Sequence, residues 1–417
     1  MKKSNLIPTL SLLMIMILIL TGTGCSKKVV ADGDDLMKDI TPGTVSKIDA
    51  YNEEDTLTAM NFSLELFKMN ESAKNTLVSP ISILTALSMT ANGAKENTRE
   101  QMEEVFGLSP DTLNQLLNLY IRKLPDEKKL KVSMANSIWF RKGGRIEVLP
   151  DFLQTNANYY GAKIYRSAFD QSTLTAINDW VDIETDGMIK DILDEIPDEA
   201  VMYLINALSF EAEWEKIYAE NEISVGEFTA EDGMKQNVDM MYGEETRYLK
   251  DTKATGFIKN YAEGSFAFVA LLPDEGTSVS EYLQSLTGES LQNLMKKAEN
   301  TTVFTMMPKF KSEYSVEMSE ILKEMGMADA FDENLADLSG IGTSPEGNLF
   351  ISRVIHKTAI EVNEKGTKAG AATVVEVAPT SAAMETYSVK LDRPFVYLII
   401  DTESYLPLFI GTTMSVE

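Results

Sequence analysis

Glu364-Lys365-Gly366-Thr367-Lys368-Ala369-Gly370-Ala371-Ala372-Thr373-Val374-Val375-Glu376-Val377-Ala378-Pro379-Thr380-Ser381-Ala382-Ala383-Met384 follows a strand-like stretch, Leu349 to Val362, and precedes a further apolar region. As a connection it is long, and long connections of this kind are usually functional or disordered. Simple disorder fits poorly with Val374, Val375 and Val377 standing so close together. In an extended strand successive side chains point to opposite faces. One face then carries Thr367, Ala369, Ala371, Thr373, Val375 and Val377, all uncharged and small or β-branched. Lys368, Gly370, Ala372, Val374, Glu376 and Ala378 fall on the other, with both charges. The segment is exposed by its length and yet competent to be a strand. Its small residues from Gly366 to Thr373 would let that strand pass between two existing ones, where a bulky or charged side chain would be stopped.

Outward from this stretch, Leu57, Met60, Phe62, Leu64, Leu66 and Phe67 predict a helix. Ser79-Pro80 starts another, with serine at the cap, proline in the first turn and an apolar run to Gly93. Helical patterns recur over 98–106, 111–124, 151–160, 174–189, 278–286 and 316–325. Strand-like runs lie at 132–140, 201–214, 266–272, 303–308, 349–362 and 396–400. This order lacks the strand-then-helix alternation of a doubly wound sheet and predicts an α+β unit with several sheets. Length alone would suggest two or three domains. The intermixed pattern argues instead for one large domain over 53–417.

Residues 1–24 hold Lys2 and Lys3, an uncharged apolar stretch from Leu6 to Leu20, and Thr21-Gly22-Thr23-Gly24 before Cys25. That is the pattern of a secretory signal; a full bilayer crossing needs roughly 20 apolar residues, and this stretch is shorter. A cysteine directly after the small-residue run resembles the lipobox of bacterial lipoproteins, although Gly22 stands where a bulky aliphatic residue is usual. The resemblance implies lipid attachment at Cys25 and a place on the extracellular face of a bacterial membrane; the alternative is ordinary signal cleavage, with Cys25 an incidental thiol and the protein secreted. Cys25 is the sole cysteine, so no intrachain disulfide can form. Residues 25–52, Lys/Asp-rich with Pro42-Gly43 in their midst, read as a flexible tether with a reach of about 25 to 30 Å.

The formal charge is −26, and loss of Lys2 and Lys3 with the signal makes it more negative still. Such a surface repels phosphate backbones, and nucleic acid is excluded as a partner. Catalysis finds little support. His356 is the only histidine, no Gly-x-Ser-x-Gly elbow is present, and the cysteine is used at the membrane. Nothing has the spacing of a metal site, and no cofactor is expected. The acidic pairs Glu53-Glu54 and Glu103-Glu104 are ordinary solvated charge, and His356 reads as a core histidine satisfied by hydrogen bonds.

Five separated stretches, Asn75 to Ile83, Leu204 to Lys216, His356 to Thr367, Arg393 to Phe395 and Phe409 to Gly411, resemble in their order the serpins. Asn75-Thr76-Leu77-Val78-Ser79-Pro80-Ile81-Ser82-Ile83 matches the family's early signature. Leu204-Ile205-Asn206-Ala207 with Phe210 and Trp214-Glu215-Lys216 is similar to a central strand of the fold. His356-Lys357 to Gly366-Thr367 resembles the strand leading to the reactive loop, and Arg393-Pro394-Phe395 and Phe409-Ile410-Gly411 resemble the closing strands. Two departures are Ile217-Tyr218, where Pro-Phe is usual, and Lys368, where the family often has Glu.

The resemblance implies three β-sheets, about eight or nine helices and an exposed reactive-centre loop over about 364–386. It implies a polar cluster of Ser79, Ser82, Asn206 and His356 where the central sheet parts, and Trp214 where insertion begins. Gly366, Thr367, Lys368, Ala369, Gly370, Ala371, Ala372 and Thr373 take the place of the hinge. Counting fifteen residues from Gly366 puts the reactive bond at Thr380-Ser381, preceded by Val377, Ala378 and Pro379. The implied function is suicide inhibition of a serine protease, elastase-like or subtilisin-like because the residue at the bond is small and uncharged, by a monomer. The competing reading is a non-inhibitory binding or storage protein of the same fold, whose hinge would typically be bulky or charged. A solute-binding lipoprotein fits the five matches poorly.

Overall fold

Pro80, Pro110 and Pro150 each stand in the first turn of a helix, where the missing N–H has no partner to lose. The computed structural model describes residues 33–142, 146–345, 347–367 and 387–416. Among these are nine α-helices: α1 (Glu53–Asn70), α2 (Pro80–Ala91), α3 (Glu96–Phe106), α4 (Pro110–Lys123), α5 (Pro150–Tyr160), α6 (Gln171–Glu184), α7 (Val279–Ser285), α8 (Gly288–Lys296) and α9 (Ser319–Met325). Helix α2 is buried along its whole length, as a helix apolar on all sides must be. It packs against β6 and β18 of the two large sheets, here Met202–Glu213 and Pro407–Thr413.

The strands form three sheets of seven, nine and two strands. In spatial order the seven are β1 (Asp34–Asp35), β5 (Lys163–Ser167), β3 (Leu130–Arg141), β6, β15 (Gly366–Thr367), β14 (Arg353–Asn363) and β12 (Phe310–Glu317). The nine comprise β16 (Tyr387–Lys390), β11 (Glu299–Pro308), β8 (Lys235–Lys250), β9 (Ala254–Asn260), β10 (Phe266–Pro273), β17 (Phe395–Asp401), β18 and β2 (Thr76–Val78), with β7 (Ile223–Thr229) beside β8. The two are β4 (Glu147–Val148) and β13 (Gly342–Thr343). The architecture is α+β, as the patterning predicts.

Some boundaries differ from the sequence reading. The segment expected to be helical from Val316 begins as strand β12, whose residues from Phe310 to Glu313 alternate buried and exposed, and turns helical only at Ser319. Helix α6 stops at Glu184 rather than at Ile189, because Asp186 and Gly187 take positive φ values of 50° and 78°. Strand β14 starts at Arg353, four residues after Leu349.

The flexible tether is corrected from Gly33 onward. Asp34 and Asp35 add a short antiparallel strand to the edge of the central sheet, opposite Arg166 and Tyr165. The Leu36 amide donates to the Ile164 carbonyl at 2.9 Å, and Arg166 holds the Asp34 carboxylate at 3.2 Å. Leu36, Met37 and Ile40 pack, partly buried, against the main core. Further along, the Gly43 amide donates to Asn158 Oδ1 at 2.6 Å and Arg122 donates to the Ile48 carbonyl at 2.7 Å. Three apolar side chains, few enough to suggest a linker, suffice to dock the segment once a matching surface exists. Residues 25–32 lie outside the described residues.

Within the nine-stranded sheet Tyr397, which is fully buried, lies over its cross-strand partner Gly411. A Cβ added at Gly411 would fall 2.3 Å from the Tyr397 ring. We expect Gly411→Ala to lower stability by about 1–3 kcal/mol, the usual range for overpacking. Chemical denaturation of the variant beside the parent protein measures it.

Candidate functional site: the split in the central sheet

Strands β6 and β14 lie side by side and parallel from Tyr203 to Leu208 and from Arg353 to Thr358. Beyond Thr358 they part, and β15 occupies the gap, antiparallel to both. Gly366 and Thr367 face Asn363 and Val362 of β14 on one side, and Glu213 and Ala212 of β6 on the other. The sheet is therefore closed along one half and split along the other, with two residues already in the split.

Only glycine fits the first of these two positions. Gly366 has φ +153°, and an added Cβ would stand 1.9 Å from the Ala212 carbonyl oxygen. Thr367 is wholly buried, and its hydroxyl lies 2.6 Å from the Tyr261 hydroxyl. Here the expectation of a loop exposed from residue 364, hinge included, is corrected: Gly366 and Thr367 are buried as strand, because both neighbours offer unpaired backbone there. The rest of the hinge, Lys368, Ala369, Gly370, Ala371, Ala372 and Thr373, lies outside the described residues. So do Val377, Ala378, Pro379, Thr380, Ser381 and Cys25.

Ser79, Ser82, Asn206 and His356 meet under the closed half. All four are fully buried. His356 and Asn206 are direct partners in the β14–β6 register, and His356 Nδ1 lies 2.7 Å from Asn206 Oδ1. The Ser79 amide, at the cap of α2, donates to His356 Nε2 at 3.1 Å. That assigns the lone pair to Nε2 and the proton to Nδ1, which donates to Asn206. The Asn206 amide donates to Ser82 Oγ and, at 2.5 Å, to Asn136 Oδ1. Ser79 contributes through its backbone; its hydroxyl has no partner among the described residues. Thr358 adds a tie, its hydroxyl donating to the Leu77 carbonyl at 2.8 Å.

The open end is held by a crossover, Trp214 to Tyr218, that leaves β6 for β7. The Trp214 indole stacks on Tyr261 at 4.4 Å and 12°. Its Nε1–H donates to the Asn363 carbonyl at 2.9 Å, and the amides of Trp214 and Tyr218 donate to the Lys365 and Glu364 carbonyls at 2.8 and 2.9 Å. The turn between β14 and β15 is thus fastened by three bonds to one short segment. Lys309 pairs with Glu364 at 2.9 Å and holds its carboxyl below the usual range.

Sequence reasoning missed Asn136, Tyr261 and Thr358. Asn136 sits opposite Asn206 in the β3–β6 register, so only correct strand pairing could have found it. Among the described residues no group of three or more His, Cys, Asp or Glu is placed to hold a metal.

A sheet with its middle strands parted and the start of a further strand lodged between them defines a strand-acceptor fold. The chain belongs to the serpin family: the family model, Serpin (serine protease inhibitor), matches residues 57–416. Leukocyte elastase inhibitor A of Rattus norvegicus is 31% identical, over 85% of this chain and 97% of that protein. The crystal structure of a thermophilic serpin, tengpin, in the native state superposes with a TM-score of 0.89 at 45% identity, covering 92% of this chain and 100% of that one. The same serpin in its latent state gives 0.79 at 44% identity, covering 89% of this chain and 100% of that one. The present fold is closer to the native form.

Burial alone pushes the His356 pKa down from 6.5 to about 3. Between these values the unfolded chain binds a proton that the folded protein refuses. Stability tied to this ring is intact above pH 6.5 and is lost as pH falls toward 3. The loss is about 1.4 kcal/mol per pH unit within that window. His356→Gln removes this titration, so its urea midpoint should fall less steeply than the parent's between pH 6 and 4.

Proposed function

We propose that the chain is an exported, membrane-tethered, single-use inhibitor of serine proteases with shallow apolar specificity pockets, elastase-like or subtilisin-like. The observation that carries this reading is the seating of Gly366 and Thr367 between β6 and β14. Beyond Thr367 the chain runs on through mostly small residues to Thr373, fit to continue the same strand.

On this reading the protease serine attacks the Thr380 carbonyl, an acyl-enzyme ester forms, and the amine of Ser381 leaves. The chain up to Thr380, freed at one end, then extends β15 into the sheet. For this β6 and β14 must separate along Tyr203–Leu208 and Arg353–Thr358. Ser82, Asn206 and His356, with the Ser79 amide, govern that separation, and Trp214 marks where it starts. If insertion outruns hydrolysis of the ester, the protease is carried away with its site distorted. A wholly buried Thr367 supports the requirement for small side chains at alternate hinge positions. The bond assignment at Thr380-Ser381 supports the elastase-like class, and so does the name of the rat relative. The molecule acts as a monomer, held at the outer face of a bacterial membrane by a lipid on Cys25.

Mixing the purified protein with pancreatic elastase and subtilisin should give a detergent-stable covalent complex, with the new end mapped by mass to Thr380; cleavage without complex contradicts inhibition. Thr367→Arg places a charge in a fully buried position, at a cost of several kcal/mol. That variant should be cleaved and released as a substrate, and unchanged inhibition would contradict insertion. Cys25→Ala should move the protein from the membrane fraction to the medium and abolish incorporation of labelled fatty acid.

A further inference from the structure

Lys259 is a buried lysine without an evident part in the chemistry above. It lies on β9 with its side chain 3% exposed, and its partner Glu245, on β8, is 14% exposed. The ammonium donates to Glu245 Oε1 at 2.7 Å and to the Lys216 carbonyl at 3.0 Å. Its remaining face lies against two rings, 4.5 Å from the centre of Tyr218 and 5.3 Å from that of Trp214. Every partner except Glu245 belongs to the crossover Trp214–Tyr218.

Folding stability does not explain such a pair. Taking two charges out of water costs what their attraction returns, and apolar residues of the same volume often serve as well or better. What an ammonium supplies that a methyl group cannot is directed donation to a particular carbonyl. Here that carbonyl sits in the middle of the segment that fastens Asn363, Glu364 and Lys365. A second pair of bonds, from the Glu215 amide to the Asn260 carbonyl and from the Ala262 amide to the Glu213 carbonyl, joins the same segment to β9 and the turn after it.

We propose that Lys259 is a positioning residue for inhibition. It clamps the Trp214–Tyr218 crossover to the second sheet, so that the turn before β15 stays fixed and no residue beyond Thr367 enters the split before cleavage. The clamp rests on the insertion mechanism proposed above. Through the crossover it sets how long the native form survives and how a cleaved loop divides between trapping and release.

The test compares Lys259→Met and the double variant Lys259→Met/Glu245→Leu with the parent protein. It follows the loss of elastase-inhibiting activity during warm incubation, the moles of inhibitor used per mole of elastase, and unfolding in urea. With the clamp lost, spontaneous conversion to an inactive, heat-stable form should quicken about tenfold, the effect on a rate of one charge-assisted hydrogen bond. The double variant restores an apolar fit but no donor, so its urea stability should recover while its conversion stays fast. Recovery of both would make the pair merely structural and overturn the clamp, as would parental conversion and stoichiometry in Lys259→Met. Should Lys259→Met not accumulate folded, the double variant alone decides by the same criterion. A parent protein that never traps elastase and never converts removes the inhibitory reading itself, and the clamp with it.

Discussion

One side-chain hydrogen bond, from His356 Nδ1 to Asn206 Oδ1, crosses the seam between β6 and β14 in the central sheet. It joins the two strands at a point where they are direct partners, and it is anchored below by the start of α2 through the Ser79 amide. In water such a bond would be worth little. In a fully buried site its partners have no substitute, and leaving any of them unpaired costs about 1–3 kcal/mol. The seam is therefore held shut by polar groups that are inexpensive together and costly apart. The neutral imidazole suits this post because it accepts on one side and donates on the other.

At the other end the control is of a different kind. Trp214, Tyr218 and Tyr261 provide apolar mass and orient three donors toward the turn between β14 and β15. A turn gripped by backbone bonds cannot drift gradually into the sheet; it stays or it lets go. The two ends thus differ in construction, a turn fastened by backbone bonds at one and a seam tied by buried polar side chains at the other. The parallel β6–β14 pairing between them keeps the sheet continuous.

The sequence was informative where local chemistry decides structure. Serine at the cap and proline in the first turn placed the start of α2, and the apolar pattern placed α4 to within a residue of its bounds. The cluster of Ser79, Ser82, Asn206 and His356 came from resemblance, since the serines stand more than a hundred residues from Asn206 and farther still from His356. Where tertiary neighbours decide, the sequence was silent. Lys259 and Glu245 look like any surface pair in strands as polar as β8, and only the fold buries them. Gly366 and Thr367 look like the start of an exposed loop, and only the free edges of β6 and β14 make them strand. Leu36, Met37 and Ile40 are too sparse to predict a docked segment without the surface they meet.

The seating of β15 also bears on kinetics. Adding a strand to a sheet is slow chiefly at its first contact, when chain entropy is lost before any ladder returns it. Here that contact is present in the folded chain, in register on both sides. Further entry would be zipper growth from an existing fork, and each residue gained would exchange part of one parallel ladder for two antiparallel ones, the slightly more stable kind. The folded molecule carries its own seed crystal, two residues of strand already paired on both sides.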